Sequence, residues 1–415
     1  MRAYFTDPVS MVRSNFQRII LAGVILEYIA ILTVYGNNIG DSGLFINAGK
    51  SILKHVNPYL NTEYGNSPVI ALLFSLLAGL IPSFLLPVLL QSINIYGLYL
   101  FIQEFTPKVS RAKSIALLSL IPFLTSFRGL LADTQVSGIV LGLLVLAFRK
   151  SRGPKSIRSS ILSAILIWCA FEIKPQFAIV YIVLIIFWTR EKLAPLLVGI
   201  LTISSHLAIS LYFGSSLDLL WLQRIQKFSK RSLLPGNESS FWKIAYRFFG
   251  GEDILPVVSL LIFGILIVLV AYLAYKRKEI AVTISIFLPL SLAYLHFYDL
   301  IGIAIVLTAM SLEYVRVGNL VTIILLCVTY PIDFLEFGVM GILEILAVIC
   351  LALILQLRIQ RRKMTLAVGS FSIVLAALFL ISKFDISIQS SLVIVAMLLS
   401  ACLNIAYPKR KGQLS

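Results

Sequence analysis

The feature that most constrains this chain is the alternation of apolar runs with short charged turns, most of them basic. A succession of such runs cannot be solvated and leaves lipid as the medium that covers them. Composition agrees: 59% of the 415 residues are hydrophobic and 13% charged. The mean hydropathy of +0.96 lies outside the range of a soluble globular domain. The expected class is an all-α polytopic membrane protein, a single integral-membrane domain over residues 1–415 with no separate soluble module. A net charge of +16 is no nucleic-acid signal here, because basic residues at cytoplasmic span ends follow from the positive-inside rule and no soluble module carries a patch to dock a duplex. The cysteines, Cys169, Cys327, Cys350 and Cys402, lie in apolar spans without metal-ligand spacing and read as inert core thiols.

Taken in order, the basic turns set the topology. Arg2, Arg13 and Arg18 hold the N-terminus inside, the segment is polar through Arg18, and no cleavable signal peptide is expected. The apolar run 68–105 is too long for one span and is broken at Pro82 and Pro87. A half-inserted helix at 68–81 and one crossing at 84–105 keep Lys108, Arg111 and Lys113 inside. The same rule places 149–158, 189–192, 276–278, 315–319, 358–363 and the 409–411 tail inside. Outside fall 128–135, Lys174-Pro175, 214–252, 295–299, 331–336 and 383–385. The count is about fourteen spans with both termini cytoplasmic, several nearer fifteen residues than twenty.

The first outer loop, Gly40 to Pro68, is the chief polar interruption. Asp41 stands at its start, and Leu44, Phe45, Ala48, Ile52 and Leu53 recur at helical spacing opposite Asn47, Lys50, Ser51 and Lys54. That pattern describes a short helix on the membrane surface with its apolar face in the lipid boundary. Asn57-Pro58 is expected to stop it, Tyr59 and Tyr64 to form a turn, and Ser67-Pro68 to cap and start the next helix. Asp41 has two readings at this stage, catalytic carboxylate or N-cap of the interfacial helix. The remaining polar clusters fall on the same outer face: Asp133 with Gln135, Lys174, Asn237 with Glu238, Arg247, and His296 with Asp299. A transporter is expected to place such groups near mid-depth on related halves, and no internal repeat is found. A one-sided site fits an enzyme at the outer leaflet, with a polytopic lipid or glycan flippase as the alternative.

The ordered set Asp41, Asn57-Pro58-Tyr59, Tyr64 to Pro68, Gln135 opening a span, and Glu172-Ile173-Lys174-Pro175 resembles the glycosyltransferase-C superfamily. Within it, the set is similar to glycosyltransferase family 87, the polyprenyl-phosphate-mannose-dependent mannosyltransferases. Gly236-Asn237-Glu238-Ser239-Ser240 leading to Arg247 resembles that family's "NQS … R" segment, and His296-Phe297-Tyr298 its "WDHY" segment. The likeness covers about residues 20–315, with further helices over about 319–407 that carry no motif. Two departures stand out. The family's Gly-Gln is Thr134-Gln135 here, and its acid before the histidine is Leu295, with Asp299 following instead.

The resemblance implies a glycosyltransferase-C-type bundle of about 12–14 transmembrane helices with interfacial helices in the first outer loop. It also implies inverting transfer of a hexose, mannose in that family, from a polyprenyl phosphate to a lipid-linked or envelope glycan. Asp41 takes the place of the general base. Lys174, His296 and Arg247 stand where donor phosphate is bound, and Gln135, Asn237, Tyr59 and Tyr64 where substrate is held. The residue-level alternative for Lys174 is a snorkelling anchor, and for the basic segment 214–252 attraction to anionic headgroups. Asp41, Glu63 and Asp133 are fewer carboxylates than a divalent metal usually takes, so no cofactor is expected, with a divalent metal that substrate phosphate helps to hold as the less favoured alternative. The partners implied are the lipid-linked donor, the glycan acceptor and membrane lipids, with no nucleic acid.

Overall fold

The computed structural model describes residue 29 and residues 40–59, 64–82, 84–105, 117, 121, 124–132, 134–154, 156–213, 217–231, 251, 253–276, 278–292 and 297–313. Among these, all regular structure is helical. The helices are α1 (Gly40–Leu53), α2 (Pro68–Leu80), α3 (Leu86–Phe105), α4 (Thr125–Ala132), α5 (Ser137–Arg152) and α6 (Ile157–Ile173). They continue as α7 (Pro175–Leu184), α8 (Leu193–Phe213), α9 (Leu217–Arg231), α10 (Ile254–Lys276), α11 (Lys278–Phe287) and α12 (Ile301–Glu313).

Three of them, α3, α8 and α10, are long and apolar enough to cross a membrane, at 20, 21 and 23 residues. A rise of about 1.5 Å per residue carries each across a hydrocarbon core of about 30 Å. Their outward faces are apolar: Leu260, Leu261, Ile265 and Val268 of α10 are each more than 60% exposed, a surface that only lipid covers without penalty. At 13 residues, α2 is shorter than the three candidate spans. The C-terminal helices expected over 319–407 lie outside the described residues, as do Glu63, Asp133, Asn237, Arg247 and His296.

Close helix contact fixes the centre of the bundle. Helices α3 and α5 run parallel and touch through glycines: a Cβ on Gly97 would come within 2.0 Å of the Gly138 carbonyl oxygen, and one on Gly142 within 2.6 Å of the Gly97 Cα. Small residues let backbones approach where lipid gives no hydrophobic drive to association. At one end of this pair the Glu104 carboxylate accepts from Arg149 Nε at 2.8 Å and pairs with Arg152. At that same end Ser160 donates to Glu191 Oε1 at 3.2 Å, and that oxygen caps α8 by accepting from the Leu193 amide at 2.9 Å. Of the turns that the charge rule grouped on one side, those at 149–158 and 189–192 therefore adjoin one end of the bundle, and 106–113 lie outside the described residues.

The first loop departs from expectation in two respects. The apolar face of α1 is turned into the protein, with Phe45 and Ala48 each 3% exposed and Ile52 fully buried. Helix α2 covers it: Phe45 stacks on Phe74 at 4.8 Å, and Gly49 sits against the Ala71 carbonyl so closely that a Cβ would reach within 2.1 Å. Two short helices packed on each other bury the face that one alone would give to lipid. Secondly, α1 ends at Leu53, ahead of Asn57-Pro58. His55 turns left-handed at φ 57°, and the Val56 amide donates back to the Ser51 carbonyl at 2.8 Å, a six-to-one closure that needs no proline. The start of α2 is as read: the Ser67 hydroxyl accepts from the Val69 amide and Pro68 opens the first turn.

Candidate active site

At the end of the bundle opposite Glu104, α3 carries two buried amides one turn apart, Gln91 and Asn94. Gln91 Nε2 donates to the Leu131 carbonyl at 2.7 Å and to Thr134 Oγ1 at 3.3 Å. Asn94 Nδ2 donates to the Gln135 carbonyl at 2.5 Å, while its Oδ1 accepts from the Ile139 amide at 3.0 Å. These contacts clamp the turn between α4 and α5 on an unfavourable backbone: Thr134 is fully buried at φ 45°. A β-branched residue in the left-handed region costs about 1–2 kcal/mol. Glycine adopts that conformation freely, so Thr134 stands on a glycine-like backbone.

The same turn receives the first loop. Ser42 Oγ donates to the Thr134 carbonyl at 2.8 Å, which brings the first turn of α1, and Asp41 within it, beside Thr134-Gln135. Gly40 at φ 44° starts that helix, so Asp41 is inside the first turn and is not the N-cap.

Lys174 forms the joint between α6 and α7, with Pro175 in the first turn of α7. Its ammonium pairs with Asp299 Oδ1, and Ser137 Oγ donates to the same oxygen at 2.8 Å. Lys174 is 8% exposed and Asp299 3%. A buried, partnered ammonium is not a snorkelling anchor, which would keep its head in water. Ser137 stands two residues after Gln135, so Asp41, Gln135 and Lys174 are linked in space through Ser42, Thr134, Ser137 and Asp299. A narrow, mainly apolar cavity opens under Asp299, lined by Phe101, Phe177, Val180, Tyr181 and Ile303 among others.

A second polar group adjoins the first. Glu172, two residues before Lys174, is fully buried; its Oε2 accepts from Ser67 Oγ at 2.5 Å and lies 3.1 Å from His206 Nε2. The other ring nitrogen, His206 Nδ1, is 2.5 Å from Asp218 Oδ1. Trp221 stacks on the His206 ring at 5.6 Å and donates its indole N–H to the Gly65 carbonyl at 3.0 Å. Tyr64 donates its hydroxyl to the Ser67 carbonyl at 2.6 Å and Tyr59 to the Asn66 carbonyl at 3.1 Å. Burial first, then the Asp218 and Glu172 carboxylates, push the Tyr59 phenol well above its ordinary range; burial, Tyr59 and Glu172 do the same for Tyr64. Both phenols are held protonated, as donors.

Of the residues singled out in the sequence, Gln135, Lys174 and the backbone of Asp41 converge at this end, and Tyr59 and Tyr64 wall the Glu172 group. Asp299, three residues beyond His296, takes the carboxylate position beside Lys174. Sequence reading passed over Gln91, Asn94, Glu172 and His206 as site residues. Ionisable groups inside apolar spans are functional candidates by default, and that signal was present at Glu172 and His206. Among the described residues no group of three or more His, Cys, Asp or Glu side chains is placed to hold a metal ion. Comparison with family models, with curated proteins and with solved structures gives no match in any of the three.

Proposed function

We propose that this protein is an integral-membrane glycosyltransferase of the C type. It moves a hexose, mannose on the family resemblance, from a polyprenyl phosphate to a lipid-linked or envelope glycan at the outer face. The observation that carries the proposal is the convergence at one bundle end of Asp41, Gln135 and Lys174, residues far apart in sequence that share little but their places in the motif set. In the reaction, the acceptor hydroxyl attacks the anomeric carbon from the face opposite the phosphate. The C–O bond to phosphate breaks, the hydroxyl proton passes to Asp41, and lipid phosphate leaves with the bond electrons. Lys174 supplies the charge that meets the departing phosphate, exchanging or sharing its Asp299 partner as it does so. Gln135 and the donors Tyr59 and Tyr64 orient hydroxyls, and Asn237, Arg247 and His296 complete the donor site on the resemblance. No metal is required by this scheme.

A second reading, a lipid or glycan transporter, draws on His206, an ionisable residue inside α8 whose partners are carboxylates. One assay separates the two. Purified protein is incubated with several polyprenyl-phosphate sugars and a membrane lipid extract in the presence of a chelator, and products are read by mass spectrometry. Enzyme activity appears as a lipid or glycan heavier by one sugar residue. Folded protein that yields no such product with any donor refutes the proposal.

A further inference from the structure

Glu172, His206 and Asp218 are not used by the transfer step above, yet their arrangement is costly to build. With both carboxylates ionised, an imidazole between them donates to both only as an imidazolium; with one carboxyl protonated, the neutral ring satisfies both contacts. The two carboxylates differ in access. Asp218 is 36% exposed and Glu172 not at all, with the ring between them 12% exposed. Heavy-atom steps of 2.5 Å and 3.1 Å make the row continuous from surface to interior. At its inner end Glu172 Oε2 already serves His206 and Ser67, whereas Oε1 is buried with no hydrogen-bond partner among the described residues. A carboxylate oxygen left so is costly unless something else reaches it.

We infer that Asp218, His206 and Glu172 form a proton line from the exposed edge of the bundle to the buried end of α6, two residues from Lys174. A proton arriving on Asp218 passes to Nδ1 of a neutral ring whose hydrogen is on Nε2, which makes the imidazolium between two anions, and the Nε2 proton then passes to Glu172 Oε2. The ring is left neutral with its hydrogen on Nδ1, and a turn of the ring with exchange of that hydrogen resets it before the next proton. One proton has moved inward, no bond other than N–H and O–H has changed, and no co-reactant is needed. The reverse sequence exports a proton. The line stands on geometry alone; its service to glycosyl transfer, by clearing the proton taken from each acceptor hydroxyl, rests on the function proposed above. The titratable groups facing the ring are Glu172 of α6 and Asp218 of α9, and Tyr59 and Tyr64 of the first loop stand in turn by those carboxylates.

The test reads the proton directly and does not require transfer. The full chain in lipid nanodiscs is acidified rapidly, and the carboxylic C=O band that Glu172→Gln removes is followed by infrared difference spectroscopy. In the wild type that band appears promptly. His206→Gln fills the same space and keeps one hydrogen bond but cannot pass a proton, so the band should reach the same height at least about tenfold more slowly. Added imidazole should restore the rate in His206→Ala. Should His206→Gln fail to fold, Asp218→Asn serves: it stands at the exposed end, keeps an acceptor for the ring, and should slow the band likewise. An unchanged rate in the variant that folds, or a wild type that shows no such band, overturns the line. Absence of glycosyl transfer with the band kinetics intact would refute the proposed function and leave the proton line standing.

Discussion

Replacing Lys174 with methionine tests the buried pair most severely. The change keeps much of the stem volume and removes the ammonium, leaving Asp299, 3% exposed, with the Ser137 hydroxyl at 2.8 Å as a neutral donor to the oxygen that Lys174 served. Removing one member of a buried ion pair typically costs about 3–5 kcal/mol, because the carboxylate left behind keeps its desolvation penalty. Lys174→Met should therefore unfold at a distinctly lower temperature in detergent, read by tryptophan fluorescence. A mere lipid anchor would show no such loss. The double variant Lys174→Met with Asp299→Asn removes both charges and should recover most of that stability. Transfer separates the roles, since loss of one charge stabiliser commonly lowers turnover by about tenfold to a thousandfold. The double variant should be stable and slow. A single variant as stable as wild type would refute the buried pair, and a double variant with normal transfer would make the pair purely structural.

The turn before α5 should accept Thr134→Gly. Relief of a left-handed β-branched residue, worth about 1–2 kcal/mol, offsets the lost hydroxyl contact to Gln91, so melting and transfer should stay near wild type. A fall in stability well beyond about 1 kcal/mol would show that the threonine side chain is needed at this turn. Tyr59 and Tyr64 predict alkaline sensitivity. Their phenols titrate above the ordinary range in the fold, so their contribution is complete below pH about 10 and is lost as pH rises from there toward the folded-state values. Tyr64→Phe should lower neutral-pH stability by about 1 kcal/mol through loss of its hydrogen bond to the Ser67 carbonyl, which keeps the Ala71 amide as a donor, and should flatten the alkaline decline. A decline as steep as wild type would move its cause elsewhere. For topology, single cysteines at Asn47 and Ser156, both exposed, should label from opposite sides with an impermeant thiol reagent. Asn47 should label from outside, and labelling of both from one side would overturn the span assignment.

Much of the first loop was legible because its signals are local. Ser67-Pro68 is a cap and first-turn proline whose meaning depends on no distant residue, and the structure has it so. The apolar stripe of α1 was legible as a stripe, but its covering was not. Periodicity reports which face is apolar and is silent on whether lipid or α2 lies against it, and Gly49 alone hints at a close neighbour. His55 ended α1 early through a left-handed turn that histidine does not announce. Lys174 reads as a phosphate ligand with a lipid anchor as the alternative, and its partner Asp299, 125 positions away, was not legible. Asp218 lies in the basic segment 214–252 of the sequence, whereas a ring nitrogen on the preceding helix gives it its role. Pairings of this kind come from the packing of α6, α8 and α9, and a single sequence does not encode them in any local pattern.

The central claim rests on Asp41, and one comparison tests it directly: transfer by wild type and Asp41→Asn with a defined polyprenyl-phosphate mannose and saturating acceptor. Asp41 lies in the first turn of α1 and not at its cap, so loss of its charge removes at most about 0.3–1 kcal/mol of dipole stabilisation and should barely change melting. As general base it should contribute about a hundredfold to ten-thousandfold. The expected result is a variant that folds, retains donor binding, and transfers sugar slower by that factor. Near-normal transfer by Asp41→Asn would remove this carboxylate from the mechanism and contradict the account.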